Sequence, residues 1–98
     1  GIIENMSWFT PAELPDKKYY LFGRDGGQQI ADAFDLPLLA QLPLIQGVRE
    51  AGDHGKPAVM SDIPEISTPF INLSTMVARY VAIRNAEKAP TERVEMVE

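Results

Sequence analysis

The sequence predicts an α/β fold, built from a βαβ unit and a long C-terminal helix. Two short apolar runs, residues 2–5 and 38–42, have the length and composition of buried strands. A helical pattern over residues 28–34 separates them, and a longer helical pattern starts near Thr68. Parallel strands joined by one helix form a right-handed crossover, so both strands would end at the same edge of a sheet.

Composition narrows the class of protein. The chain has 98 residues, of which 45% are hydrophobic and 23% charged, as in one ordinary globular domain. Its net charge of −5 argues against a nucleic-acid-binding module, because such modules are usually basic. No apolar run approaches the ~18 residues of a membrane span, and nothing resembles a signal peptide. We therefore expect a cytoplasmic protein without nucleic-acid or membrane partners.

The sequence also predicts how the chain is organised. It contains no cysteine, which excludes disulfides and thiolate metal sites within it. It begins with a strand already in progress and without an initiator methionine, so we expect a fragment of a longer protein. Residues 1–89 should form one unit, and residues 90–98 a charged tail that we expect to be disordered.

Asn5 ends the first predicted strand, and two interpretations of it stay open. It is either a turn residue or a ligand contact, since a carboxamide offers a donor and an acceptor side by side. Residues 7–16 follow as a loop, because their prolines exclude a helix or a central strand. Trp8 and Phe9 in this loop either cover the core locally or form an interface patch, since large aromatic side chains anchor partners.

The next segment leads into the first helix. Residues 17–23 are rich in aromatic side chains and fit a short strand or an extended arm. A turn follows, in which Asp25 is placed to cap the helix. Ile30, Ala33 and Phe34 then recur at i, i+3, i+4, which predicts the apolar face of that helix.

The stretch after the second strand is typical of a site at the carboxyl edge of a parallel sheet. Pro43 stops the strand, because proline cannot donate to the ladder. A short helix is expected over residues 45–51, broken by Gly52 and Gly55. Open α/β sheets bind ligands beyond the carboxyl ends of their strands. Asn5 and Pro43 would therefore be neighbours and form one site.

The last third of the chain predicts one long helix. Residues 58–60 fit a short extended piece, and the helix should start with Thr68 as N-cap and Pro69 as its first residue. Apolar residues at helical spacing predict that this helix packs on the core. They are Phe70, Leu73, Val77, Tyr80 and Val81, with Met76 and Ile83 beside them. The helix should end within residues 85–89, before Pro90.

Three blocks of sequence together resemble one known family. Residues 1–7 read G-I-I-E-N-M-S, residues 21–27 read L-F-G-R-D-G-G, and residues 42–57 read L-P-L-I-Q-G-V-R-E-A-G-D-H-G-K-P. In this order they resemble the C-terminal part of the Mrp/ApbC-type ATPases, cytosolic iron–sulfur cluster carriers in the MinD-like group of deviant P-loop NTPases. The resemblance implies the C-terminal βαβ portion of a parallel-sheet P-loop NTPase fold.

The resemblance also implies a nucleotide site. In this family the asparagine of the first block hydrogen-bonds the adenine ring of ATP, and the proline–leucine pair of the third block lies against it. The implied nucleotide-binding residues are therefore Asn5, Pro43 and Leu44. The family usually has aspartate two positions after the proline, where this chain has Ile45, so one polar contact is missing or replaced.

A bridging 4Fe–4S cluster is the second implication, and here the chain departs from the family. Most members carry a C-P-x-C-type pair after the first block, and two subunits hold the cluster between them. This chain has T-P-A-E-L-P-D over residues 10–16. A carboxylate and prolines cannot replace thiolates as cluster ligands. Either the parent protein binds its cluster through other residues, or it does not carry one in this way.

The implied parent binds and hydrolyses ATP, works as a homodimer and serves iron–sulfur apo-proteins. This chain would give it the adenine side of the pocket, the dimer-proximal loop and the closing helix. We expect no catalytic residue here, because there is no Gly-rich lysine loop and no nucleophile–base pair, and Asp53 with His54 make no metal site. The alternative is a non-catalytic module that docks a protein partner through Trp8 and Phe9.

A chain limited to two strands would leave a strand edge unpaired, which invites pairing with another chain. We therefore expect one of two arrangements. Either a second copy covers the edge, or residues 18–22 rearrange to cover it.

Overall fold

The fold is described by a computed structural model, which covers residues 1–11, 13–90 and 92. Its elements are β1 (Ile2–Glu4), α1 (Gly26–Phe34), β2 (Leu38–Gln41), α2 (Gln46–Asp53), a 3₁₀ turn (Ala58–Met60) and α3 (Pro64–Glu87). The predicted α/β class, with a βαβ unit and a long final helix, is confirmed. The predicted disorder of residues 90–98 falls mostly outside the described residues and stays a prediction.

β1 and β2 pair in parallel, as the crossover predicted. The aligned pairs are Ile2 with Leu38, Ile3 with Ala40 and Glu4 with Gln41. Each strand is one residue shorter than predicted, but the backbone pairing continues beyond it. The Leu42 N–H donates to the Glu4 carbonyl at 2.8 Å, and the Ser7 N–H donates to the Leu42 carbonyl at 2.8 Å. Both strands therefore deliver their following residues to the same edge.

α1 packs on the sheet through small residues rather than through the predicted apolar face. Gly27 and Ala31, one turn apart, are its buried residues. The residues of the predicted face are exposed: Ile30, Ala33 and Phe34. α1 and β1 approach each other closely at Gly27, where an added Cβ atom would lie 2.8 Å from the Cβ of Glu4. Only a glycine lets the helix come this near to β1.

The ends of α1 are set by backbone geometry. Asp25 occupies the N-cap position with φ 62° and makes no side-chain capping bond, so the predicted cap was wrong. A capping side chain needs an extended backbone at that position, and Asp25 is left-handed instead. At the other end Asp35 is also left-handed, with φ 53°, and the Leu36 N–H donates to the Ala31 carbonyl at 2.8 Å. That bond ends α1 where the sequence predicted.

Two boundaries after β2 differ from the prediction. α2 continues through Gly52 and ends at Asp53, and the chain turns only at Gly55, where φ is 67°. Residues 58–60 form a 3₁₀ turn rather than an extended piece, because the Met60 N–H donates to the Pro57 carbonyl at 3.0 Å.

α3 starts at Pro64, four residues before the predicted cap at Thr68. Pro64 takes the first helical position, where a missing N–H costs little, and Pro69 lies inside the helix. The helix ends at Glu87, within the predicted range. Although α3 is the longest helix, no helix in the described part of the chain has the length and apolar character needed to span a membrane.

The core is small, so the predicted packing of α3 holds only for its first half. Among the described residues, the buried hydrophobic ones are Ala31, Leu42 and Ile66. Phe70, Leu73 and Met76 are half-buried. The predicted stripe farther along α3 is exposed, and includes Val77, Tyr80, Val81 and Ile83. α3 contacts β2 and the 3₁₀ turn, and this support covers only part of its length.

The arm, residues 17–23, does not cover a strand edge. The described sheet has two strands, so each keeps one unpaired edge. Tyr19 forms an antiparallel bridge with Phe9, and Phe9 forms a parallel bridge with Leu44. The expectation that residues 18–22 cover the edge was wrong, because the backbone bonds of Tyr19 go to Phe9. Pairing of an edge with a second copy stays a prediction.

Replacing Gly27 with alanine should destabilise the chain by about 1–3 kcal/mol, because the new methyl group would overlap with Glu4. Gly26→Ala is the matched control. No atom lies within 4 Å of a Cβ built at Gly26, and alanine favours helix, so stability should be unchanged or slightly higher. Urea unfolding of both variants measures the difference. Equal midpoints would contradict the close approach of α1 to β1.

Candidate functional site

A cavity of about 380 Å³ lies at the carboxyl ends of β1 and β2, and we call it the strand-end cavity. The three predicted site residues, Asn5, Pro43 and Leu44, all line it. Its other lining residues are Met6, Ile45, Val48, Arg49 and Phe70. The structure therefore brings Asn5 and Pro43 together at the sheet edge where open α/β folds bind ligands. That they bind a nucleotide stays a prediction.

Backbone hydrogen bonds hold the two sides of the cavity at a set distance. The Ser7 N–H donates to the Leu42 carbonyl at 2.8 Å, and the Leu44 N–H donates to the Trp8 carbonyl at 2.7 Å. Ser7 is 4% exposed and Pro43 is buried, so both segments are anchored beneath the surface. Asn5 and Leu44 thus sit on two backbone segments that are joined to each other as a continuation of the sheet.

Asn5 presents a donor and an acceptor at the surface. Its Oδ1 accepts a hydrogen bond from the Met6 N–H at 2.9 Å, and the residue is exposed. Its Nδ2 makes no hydrogen bond to another residue that the structure describes. A carboxamide oxygen has a second lone pair. The side chain therefore keeps both an N–H group and an acceptor available to a ligand.

The remaining lining is mostly apolar. Ile45 has an extended backbone, with φ −125° and ψ 134°, directly before α2, and it lines the cavity together with Leu44 and Val48. Arg49 is the charged member, but its Nη1 already pairs with Asp53 Oδ2 at 2.7 Å. Such a lining suits a flat, largely apolar ring that is held by a few polar contacts.

Sequence reasoning did not assign Met6, Val48, Arg49 or Phe70 to this cavity. Met6 directly follows Asn5 and lines the cavity, and its left-handed backbone, with φ 53°, could not be predicted from its residue type. Phe70 was assigned to core packing. It lines the cavity from α3. Position next to Asn5 was the one signal that pointed to Met6.

A second, larger groove of about 480 Å³ lies between the residue 7–16 loop and the starts of α2 and α3. Thr10, Pro11 and Pro15 line one side, and Gly47 and Ile66 belong to the other. No cysteine is available there. Within the described residues, no group of three or more histidine, aspartate or glutamate side chains could hold a metal ion.

The loop aromatics are engaged within the chain. Trp8 is half-buried, and the Lys18 Nζ lies 4.2 Å from the centroid of its ring. Phe9 is also half-buried and forms both isolated bridges. These contacts favour the local-cover interpretation over an open docking patch. His54 is exposed, and its Nδ1 lies 2.8 Å from the Glu50 carbonyl, as expected of a plain loop.

Comparison with known proteins gives a consistent picture. Residues 1–79 match a family model described as ParA: NUBPL iron-transfer P-loop NTPase. The chain is 43% identical over 82 residues to the iron-sulfur cluster carrier protein of Synechocystis sp., which covers 84% of this chain and 22% of that protein. It is 39% identical over 61 residues to the iron-sulfur cluster transfer protein NUBPL of Mus musculus, covering 62% of this chain and 19% of that protein.

A plant relative matches over a similar range. The Fe-S cluster assembly factor HCF101, chloroplastic, of Arabidopsis thaliana is 32% identical over 83 residues, which is 84% of this chain and 15% of that protein. The chain thus spans 15–22% of the length of these three relatives.

Proposed function

Because the chain belongs to the ParA family of NUBPL-type iron-transfer P-loop NTPases, we propose that it supplies the adenine side of an ATP pocket in an iron–sulfur cluster carrier. The observation that carries the proposal is the strand-end cavity, where Asn5 from one strand end meets Pro43 and Leu44 from the other. The relatives' names support the carrier role of the whole protein.

The chemistry of the cavity suits adenine. Adenine presents an amino donor, N6, beside a ring acceptor, N7, whereas guanine presents two acceptors, O6 and N7. Asn5 offers one acceptor and one donor, because its Oδ1 and Nδ2 both keep hydrogen-bonding capacity. The apolar lining at Leu44 and Ile45 would cover the face of the ring. ATP should therefore bind more tightly than GTP.

Replacement of the family's aspartate by Ile45 makes Asn5 more important. With an isoleucine at that position, the base loses one polar partner and gains apolar contact. Asn5 would then be the main polar contact that the described chain offers to the base. The affinity for the base would depend on this side chain and on the fit of the ring between the two strand ends.

We assign phosphate binding and ATP hydrolysis to the rest of a longer protein. Phosphate binding and ATP hydrolysis need a Gly-rich lysine loop, which this sequence lacks. We propose that the whole protein is a cytoplasmic homodimer that hands clusters to iron–sulfur apo-proteins. Neither nucleic acid nor a membrane is among its proposed partners.

The gene upstream of the codon for Gly1 should encode a K-G-G-x-G-K-(S/T) loop. The relatives are several times longer than this chain, and the phosphate half of the pocket would have to come from that additional length. Sequencing the locus tests this. A gene whose product starts at Gly1 would contradict the assignment.

Asn5→Ala should weaken ATP binding to the full-length protein by about thirtyfold, because two hydrogen bonds with a net contribution of about 1 kcal/mol each are lost. Asn72→Ala, at an exposed position on α3 outside the cavity, is the matched control and should bind ATP normally. Calorimetric titration with ATP and GTP measures both variants. Equal ATP affinity in the Asn5 variant and the wild type would rule out the site.

Cluster binding should depend on restoring thiolates to the loop. The present T-P-A-E segment should not retain iron after anaerobic reconstitution with iron and sulfide. The double change Thr10→Cys and Glu13→Cys recreates C-P-A-C and should yield a cluster shared by two subunits. Iron and sulfide content and visible absorption of the full-length protein provide the readout. A cluster on the unchanged protein would instead show that ligands come from elsewhere in it.

A further inference from the structure

We propose that Met6 is a further base-contacting residue of the strand-end cavity, and that its backbone N–H sets the orientation of the Asn5 carboxamide. This inference rests on the proposed function, since the ligand it concerns is the purine ring of ATP. It adds to that function a residue whose type gave no sign of a binding role.

The backbone of Met6 is the first observation. Three residues other than glycine have positive φ in the described chain: Met6, Asp25 and Asp35. Aspartate tolerates this conformation comparatively well, because its short polar side chain can bond locally, whereas a long apolar side chain gains no such compensation. Asp25 and Asp35 mark the two ends of α1. Met6 marks no helix end; it lies in the turn between Glu4 and Ser7, both of which form backbone hydrogen bonds with Leu42.

The position of the side chain is the second observation. Met6 lines the strand-end cavity together with Leu44, yet 46% of the residue is exposed. A methionine at a cavity mouth leaves apolar surface in water that a flat ring would cover. Its thioether also makes favourable contacts with aromatic rings, and its flexible side chain adapts to their shape.

The third observation links Met6 to the predicted contact residue. The Met6 N–H donates to Asn5 Oδ1 at 2.9 Å, so the oxygen of the carboxamide faces Met6. The Nδ2 group must then occupy the other side. The Met6 N–H holds the Asn5 carboxamide and its side chain lines the same cavity, so one residue both orients the amide and contacts the ring.

These observations together argue that methionine is present at position 6 for binding rather than for folding. Glycine would adopt φ 53° without a steric penalty and would keep the N–H that bonds Asn5. A chain selected only for stability at this turn would therefore gain from glycine. Strain that persists beside a cavity is a typical sign of a functional residue.

The test is ATP titration and thermal unfolding of the full-length protein with three substitutions. Met6→Gly should weaken ATP binding by about tenfold, because the ring contact is lost, while the unfolding midpoint stays the same or rises. Met6→Leu keeps an apolar side chain over the ring and should retain affinity within about threefold. Met60→Gly is the control, because Met60 is 64% exposed and lies outside the cavity, and it should bind ATP normally.

Two results would overturn the proposal. One is unchanged ATP affinity in Met6→Gly. The other is a loss of affinity that occurs only together with a lowered unfolding midpoint, since a merely structural residue would behave in that way. Asn5→Ala is measured in parallel to separate the two ideas. If Asn5→Ala weakens binding and Met6→Gly does not, the role of Met6 fails alone. If the wild-type protein binds no ATP, both fail.

Discussion

Parallel pairing of β1 with β2, continued by backbone bonds beyond both strands, is the constraint on which the rest of the structure depends. The bonds from Leu42 to Glu4, from Ser7 to Leu42 and from Leu44 to Trp8 extend the ladder into the connecting segments. Because these bonds are made by the backbone, they hold Asn5 and Leu44 in place whatever the side chains contact. The topology therefore determines where the strand-end cavity lies, and the side chains determine only which ligand binds in it.

Close approach of α1 to the sheet complements this pairing. Gly27 lets α1 approach β1, and Glu4 lies below it, where its Oε2 also accepts a hydrogen bond from Gln41 Nε2 at 3.0 Å. One carboxylate thus contacts the crossover helix and the neighbouring strand at the position just before Asn5. Asn5 directly follows Glu4, the residue at which α1, β1 and β2 meet. The direction in which its backbone leaves the sheet is therefore restricted.

The sequence predicted the elements and the meeting of Asn5 with Pro43, because periodicity locates strands and helices and the crossover rule places their ends. It did not predict which face of α1 is buried, since periodicity detects large apolar residues and the contact is made by Gly27 and Ala31. Met6 and Phe70 escaped prediction for another reason. Their membership of the cavity depends on a left-handed backbone and on helix packing, neither of which residue type reveals.

The exposed apolar faces of α1 and α3 have a consequence for how the chain folds during synthesis. Buried hydrophobic residues in the described chain are few, and Phe34 is 72% and Val81 51% exposed. So small an interior offsets little of the conformational entropy lost on ordering the backbone. In the longer protein that we propose, such a segment would gain most of its stability by docking on the rest of the domain. Because the proposed rest of the domain is encoded upstream, the surface on which this segment docks would be synthesised first, and the exposed faces would be covered as the segment emerges from the ribosome.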